Sequence, residues 1–133
     1  MGKLIIARHQ ESEWNKLGKW TGTQDKHLTD VGFEKSEDMG LLIKDIKIDY
    51  AFASMQVRSI ETLSCMLNVC STQSIPTEHS ASLNERDYGD YTGRDKEEME
   101  KILGEDDFKK LRRGWDYPVP NGESLKTVYE RVV

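Results

Sequence analysis

The chain has 133 residues, of which 36% are hydrophobic and 32% are charged, and its formal net charge is −5 at pH 7. This size suits a single domain with a substantial core, and the composition excludes a disordered chain. The negative charge argues against nucleic acid as a partner, because nucleic acid binding normally requires a contiguous basic surface.

The first predicted element is a strand over Lys3 to Arg8. The residues from Leu4 to Ala7 form a compact apolar run, which is typical of a strand buried on both faces of a parallel sheet. This run is too short for a membrane span or for the apolar core of a signal peptide, so we expect a cytoplasmic protein without a membrane partner. His9 then lies at the C-terminal end of the strand.

A short helical turn and a longer helix follow. Ser12 is suited to cap a turn that reaches Leu17, and the stretch around Thr21 and Gly22 is typical of a loop. Thr29 is suited to cap a helix that extends to about Ile46, in which apolar residues recur at helical spacing.

The next two elements indicate the fold class. Asp49 to Ser54 predicts a second strand, and Met55 to Val69 predicts a helix. Alternating strands and helices predict an α/β fold with a mostly parallel sheet flanked by helices, in which ligands bind beyond the carboxyl ends of the strands. Arg8, His9 and Arg58 lie at that edge.

The second half of the chain is more polar. Ser74 to Thr77 predicts a weak strand, Leu83 to Gly93 an irregular segment, and Asp95 to Lys110 a charged helix interrupted near Gly104. Glu123 to Val133 predicts a final helix without a stop signal. We therefore expect a single domain over residues 1–133 that is truncated at the C-terminus.

The stretch from Ala7 to Asn15, ARHQESEWN, resembles the signature of the histidine phosphatase and phosphoglycerate mutase superfamily. A neutral imidazole such as His9 is a nucleophile, and Arg8 beside it can hold phosphate oxygens. Taken alone, an Arg-His pair favours the alternative in which His9 is a strand-end histidine bonded to a neighbouring carbonyl. Gln10 departs from the family, which has glycine at this position.

Two further segments carry the resemblance. Ala53 to Thr62 is similar to the family segment in which an arginine, here Arg58, provides a second phosphate clamp. Leu83 to Asp90 and then Gly93 to Lys96 resemble the cofactor-dependent phosphoglycerate mutase branch in particular. Taken alone, the glutamate of the first stretch could equally form a surface ion pair with the arginine that follows it.

The resemblance implies a set of site residues. Four would act on the reacting phosphoryl group: His9 as nucleophile, Glu85 as proton donor and acceptor, and Arg8 and Arg58 as phosphate clamps. The others would bind substrate: Ser12, Asn15, Thr21, Gly22, Tyr88, Lys96, Arg112 and Arg113.

The resemblance also implies a reaction. It is the interconversion of 2-phosphoglycerate and 3-phosphoglycerate in glycolysis and gluconeogenesis, through a phosphohistidine primed by 2,3-bisphosphoglycerate and without a metal. The partner would be a small phosphorylated three-carbon acid. The family's second histidine segment is absent, so we expect impaired activity, and we expect a homodimer that covers the exposed sheet edge. A histidine phosphatase and an inactive remnant that binds anions or partners are the alternatives.

Overall fold

The computed structural model describes residues 2–70 and 74–133. Its regular elements alternate between helices and strands before the chain becomes wholly helical. In chain order they are α1 (Glu13–Lys16), α2 (Asp30–Ile43), β1 (Ala51–Ser54), α3 (Val57–Val69), β2 (Thr77–Ser80), α4 (Lys96–Leu103), α5 (Glu105–Arg113) and α6 (Leu125–Val132). Two short 3₁₀ turns, Ala81–Leu83 and Gly89–Tyr91, connect β2 to α4.

The two strands β1 and β2 pair in parallel. The register runs from Ala51 opposite Thr77 to Ser54 opposite Ser80. Helix α3 forms the crossover that a parallel pair requires, and α2 packs against α3. The predicted α/β class with a parallel sheet flanked by helices is confirmed.

The predicted strand over Lys3 to Arg8 is wrong. These residues have no strand structure, and Leu4 and Ile6 are 84% and 85% exposed. An interior strand of a parallel sheet needs hydrogen-bonding neighbours and a covering layer on each face. Within the described ranges, the segment meets an apolar wall of β1 and α3 across a groove of about 610 Å³, but it gains no strand partner.

The predicted strand over Ser74 to Thr77 is displaced. Strand β2 begins only at Thr77, because Pro76 has no backbone N–H to donate to a ladder. The Pro76 carbonyl instead accepts a hydrogen bond of 3.0 Å from the backbone N–H of Ala51. The strand therefore starts immediately after the proline.

The predicted helix caps at Ser12 and Thr29 are confirmed. The hydroxyl of Ser12 accepts from the backbone N–H of Asn15, whose side chain accepts from the backbone N–H of Ser12, so the two residues form a capping box. The hydroxyl of Thr29 accepts from the backbone N–H of Gly32. Both caps satisfy N–H groups that a helix start leaves without intrahelical partners.

The C-terminal helices are bounded by local signals. Gly104, with a φ of 80°, separates α4 from α5 and confirms the predicted interruption. Helix α6 begins at Leu125 rather than at the predicted Glu123, because the Ser124 hydroxyl accepts from the backbone N–H of Thr127 and caps the helix there.

A compact apolar cluster lies behind the polar 83–94 segment. Its members are Trp20, Met99, Phe108, Leu111 and Val119, and each is buried. Burial of one such side chain contributes about 1.5–3 kcal/mol, so the cluster fixes α4 and α5 against the loop that carries Trp20. No helix in the described ranges has both the length and the apolar character needed to cross a membrane.

Candidate active site

Arg58, in the first turn of α3, lies at the centre of the site and is fully buried. Its Nη1 donates to the carbonyl of Gln24 at 2.9 Å. Its Nη2 donates to the carbonyl of Gly22 and to Oε2 of Glu85, at 2.8 Å each. A buried guanidinium is costly unless its donors are paired, and these bonds hold it in one orientation.

The imidazole of His9 faces this guanidinium. Arg58 Nε donates to His9 Nε2 across 3.4 Å. On the other side of the ring, Nδ1 lies 2.8 Å from the carbonyl oxygen of Gln10, which can only accept, so Nδ1 carries the proton. The lone pair of His9 is therefore on Nε2, directed toward the guanidinium.

The environment of His9 favours its neutral form. Burial is the largest cause that lowers the pKa of His9, and the charges of Arg58 and Arg8 lower it further. The hydrogen bond to the Gln10 carbonyl and the charge of Glu85 oppose this effect. A neutral imidazole with an unprotonated Nε2 is the form that can act as a nucleophile.

The structure brings Glu85 to the same centre. Its carboxylate accepts from Arg58, whereas the sequence left open a surface ion pair with Arg86. Arg86 instead is buried, and its Nη2 donates to the carbonyl of Leu111 at 2.7 Å. His9, Arg58 and Glu85, which are distant in sequence, thus form one connected group.

Gly22 is needed at its position in the loop that faces this group. Its φ of 53° is in the left-handed region, and an added Cβ would approach the backbone nitrogen of Tyr88 to 3.3 Å. Its carbonyl oxygen accepts two hydrogen bonds, one from Arg58 and one from the side-chain amide of Gln56. Gly22 was predicted from the sequence, whereas Gln56 was not, because a lone glutamine before a helix carries no catalytic signal.

Cationic and phenolic side chains border the group. Burial lowers the pKa of Lys96, and the charges of Arg112 and Arg8 lower it further, while Glu85 raises it. Burial also raises the pKa of Tyr88. Lys96 is therefore within electrostatic range of Glu85, Arg112 and Arg8, and Tyr88 is within range of Glu85 and Arg112. We call the three cationic side chains Arg8, Lys96 and Arg112 the positive rim, and such a group of charges is suited to a small anion.

Tyr88 packs against an aromatic ring and a guanidinium group. Its ring lies 5.5 Å from the ring of Trp20, nearly parallel to it, and the guanidinium of Arg86 lies 4.6 Å from the Tyr88 ring centre. Arg86 Nε and Nη1 have no hydrogen-bond partner among the described residues. From the sequence, Arg86 was expected only as the partner of Glu85 in a surface ion pair.

The remaining predicted substrate residues differ in their surroundings. Ser12 and Asn15 bond to each other in the capping box of α1. Thr21 is buried, and its hydroxyl has no partner within the part of the chain that the structure describes. Arg113 is the last residue of α5, and its side chain is exposed. A ligand contact for each of these four residues remains a prediction.

Gln10 stands where the family signature has glycine. Asn121 is the one non-glycine residue with positive φ in the described ranges, so the Gln10 backbone has an ordinary conformation. Its N–H donates to the hydroxyl of Thr62 at 3.1 Å, and its side-chain amide contacts the sulfur of Met39. The glutamine side chain therefore extends toward α2.

The described residues do not include a group of three or more His, Cys, Asp or Glu side chains suited to a metal ion. A profile described as histidine phosphatase superfamily (branch 1) matches residues 4–133. The chain is 39% identical over 132 residues to a 2,3-bisphosphoglycerate-dependent phosphoglycerate mutase from Nitrobacter hamburgensis and 38% identical over 133 residues to one from Rhizobium meliloti. These matches cover 98% of this chain but 64% and 63% of those proteins, so it spans about two thirds of their length.

Solved structures show the same fold. A phosphoglycerate mutase from Bacillus anthracis superposes with a TM-score of 0.82 at 22% identity, covering 93% of this chain and 61% of that one. A putative alpha-ribazole-5'-P phosphatase from Escherichia coli superposes with a TM-score of 0.76 at 25% identity, covering 93% and 60%. The same architecture therefore occurs in a mutase and in a protein assigned as a phosphatase.

Proposed function

Because this chain belongs to the histidine phosphatase superfamily, we propose that it transfers a phosphoryl group through His9. The observation that carries the proposal is the direction of the His9 Nε2 lone pair, which faces the buried guanidinium of Arg58. A phosphoryl group held by Arg58 would present its phosphorus to this lone pair.

The proposed first step is the phosphorylation of His9. As the bond between Nε2 and phosphorus forms, the bond between phosphorus and the donor oxygen breaks, and its electron pair stays on that oxygen. The Glu85 carboxyl supplies the proton that this oxygen takes, and the carboxylate that remains is paired with Arg58. Arg58 holds the charge on the transferring group, and the Gln10 carbonyl keeps the Nδ1 proton in place.

We propose 2,3-bisphosphoglycerate as the donor, without a metal, and the interconversion of 2-phosphoglycerate and 3-phosphoglycerate as the reaction. The support is the name shared by the relatives at 38–39% identity and the positive rim of Arg8, Lys96 and Arg112 inside a chain of negative net charge. Such a rim concentrates small, highly charged anions. A role in glycolysis and gluconeogenesis and a cytoplasmic location follow from this reaction and are proposed with it.

The test is labelling of His9. Incubation with ³²P-labelled 2,3-bisphosphoglycerate should give an acid-labile phosphate on His9, which mass spectrometry can locate. His9→Asn should abolish the label, and the matched variant His79→Asn, altered on the exposed strand β2, should retain it. A folded chain without label would overturn the proposal in favour of the inactive remnant, and label on another residue would overturn the role of His9.

A histidine phosphatase is the second candidate, favoured by the likeness to the putative phosphatase from Escherichia coli. The two reactions share the phosphorylated His9 and differ in the acceptor, which is a monophosphoglycerate hydroxyl for a mutase and water for a phosphatase. Measurement of 2-phosphoglycerate formation beside inorganic phosphate release separates them. Both measurements can be made on the same labelled chain, so the two candidate reactions are compared directly.

The homodimer stays a prediction. Its support is the exposure of the large apolar side chains Leu4, Ile6 and Phe52, which are 84%, 85% and 61% exposed. Leu4 and Phe52 line the same groove, and exposed apolar surface of this kind can mark an interface. Sedimentation analysis at several concentrations tests it, and a monomer at high concentration would contradict it.

A further inference from the structure

Gln56 occupies the N-cap position of α3 but does not cap it. Helix caps are usually Ser, Thr, Asp or Asn, whose short side chains reach the first free N–H groups. The backbone N–H of Val57 donates instead to Oδ1 of Asp25 at 3.0 Å. The Gln56 side chain is therefore free to bond elsewhere, and the residue is only 4% exposed.

Both the nitrogen and the oxygen of the Gln56 side-chain amide form hydrogen bonds. Its Nε2 donates to the carbonyl of Gly22 at 2.7 Å, and its Oε1 accepts from the backbone N–H of Glu85 at 3.0 Å. The first partner can only accept and the second can only donate, so the orientation of the amide is fixed by its surroundings. No other amino acid side chain of this length offers both groups without charge.

These bonds close a ring around the proposed proton donor. Arg58 Nη2 joins the Gly22 carbonyl to the Glu85 carboxylate, and Gln56 joins the same carbonyl to the Glu85 backbone. Glu85 is thus held at two points, by its carboxylate and by its N–H. A glutamate that is hydrogen-bonded at both its backbone and its carboxylate has few conformations available, so its carboxyl group stays beside Arg58, where the donor oxygen would arrive.

We propose that Gln56 is a positioning residue that holds Glu85 in place for proton donation during phosphorylation of His9. The inference rests on the proposed function and extends it to a residue outside the reacting groups. Gln56 touches neither His9 nor the incoming phosphoryl group, and it acts only through the backbone of Glu85 and the carbonyl of Gly22.

The test uses two phosphoryl donors that differ in their need for a proton. The alkoxide released from 2,3-bisphosphoglycerate must be protonated as it leaves, whereas acetate released from acetyl phosphate is stable as an anion. In single-turnover labelling of the full chain, Gln56→Met should slow His9 phosphorylation by 2,3-bisphosphoglycerate about tenfold, a part of what general acid catalysis supplies. The rate with acetyl phosphate should stay within about twofold.

A second variant separates positioning from packing. Gln56→Met keeps the length and removes both hydrogen bonds, while Gln56→Asn keeps the amide but is one methylene too short to reach both partners. Both should show the same donor-selective loss. An equal loss with the two donors, or no loss with either, would refute the positioning role.

The proposed function fails in a different way. Glu85→Gln should reproduce the donor-selective loss more strongly, and if it does not, Glu85 is not the proton donor whatever Gln56 does. If the unaltered chain takes no label, amide hydrogen exchange still tests whether Gln56 holds the backbone N–H of Glu85. Glu85 N–H exchange about tenfold faster in Gln56→Met supports the bond on which the proposal depends, and unchanged exchange overturns it.

Discussion

Arg58 allows a test of the site that is independent of catalysis. In Arg58→Lys the positive charge is retained, but a single ammonium replaces a planar fork whose nitrogens face different directions. The guanidinium bonds the carbonyls of Gly22 and Gln24 and the carboxylate of Glu85. An ammonium placed to keep the carboxylate cannot also reach both carbonyls.

The magnitude follows from these bonds. A hydrogen bond to a charged group contributes about 1.5 kcal/mol or more, so the loss of two such bonds lowers the free energy of unfolding by about 3 kcal/mol. For a domain of this size, we expect the melting temperature to fall by about 10 °C. Arg58 is fully buried, so water cannot replace the lost partners at the guanidinium site.

Urea unfolding followed by tryptophan fluorescence measures the change. The matched control is Arg94→Lys, because Arg94 is exposed and its Nη2 lies 3.6 Å from Oε1 of Glu98, four residues further along the chain. Exposed pairs of this kind contribute less than about 1 kcal/mol to the free energy of unfolding. Equal stabilities of the two lysine variants would refute the conclusion that the Arg58 bonds hold the site together.

Three further outcomes follow from the structure. Thr62→Val leaves the backbone N–H of Gln10 without its 3.1 Å partner and should lower the free energy of unfolding by about 1–2 kcal/mol, whereas Thr62→Ser keeps the hydroxyl and should lose less; equal losses would contradict this. The pKa of His27 is raised by its hydrogen bond to Glu61, so the stabilisation is present at low pH and is lost as the pH rises through the folded-state value. NMR titration should show this upward shift disappearing in Glu61→Gln. The pKa of His9 is lowered by burial. Its contribution to the free energy of unfolding is therefore present above the pKa of the unfolded state and is lost as the pH falls through the pKa of the folded state. An NMR titration midpoint above the ordinary histidine pKa would contradict this.

Local signals in the sequence were sufficient for much of the architecture. Ser12 and Thr29 cap helices, and Gly104 interrupts one, because these preferences depend on a few neighbouring residues. The alternation of strand and helix indicated a parallel sheet, and β1 and β2 form one. Motif resemblance placed His9 and Arg58 in a common site, and their side chains do meet.

Strand predictions depended on information that the local sequence does not contain. The apolar run at Leu4 to Ala7 indicated burial, yet a strand also requires a neighbour in space, and residues 3–8 find none in the described ranges. Pro76 moved the start of β2 because the ladder needs an N–H at each bonding position, a requirement that apolar patterning alone did not reveal.

The sequence by itself determined which residues are candidates for the chemistry, because a histidine, an arginine and a glutamate lie in recognisable motifs. Three-dimensional packing determined how they are held. The side chain of Gln56 forms hydrogen bonds to Gly22 and Glu85, which are 34 and 29 residues away in the sequence. Arg86, for which the sequence allowed a surface ion pair, is buried beside Tyr88. Hydrogen bonds between distant segments depend on where folding brings a carbonyl and an N–H, and no periodicity or short motif encodes that meeting.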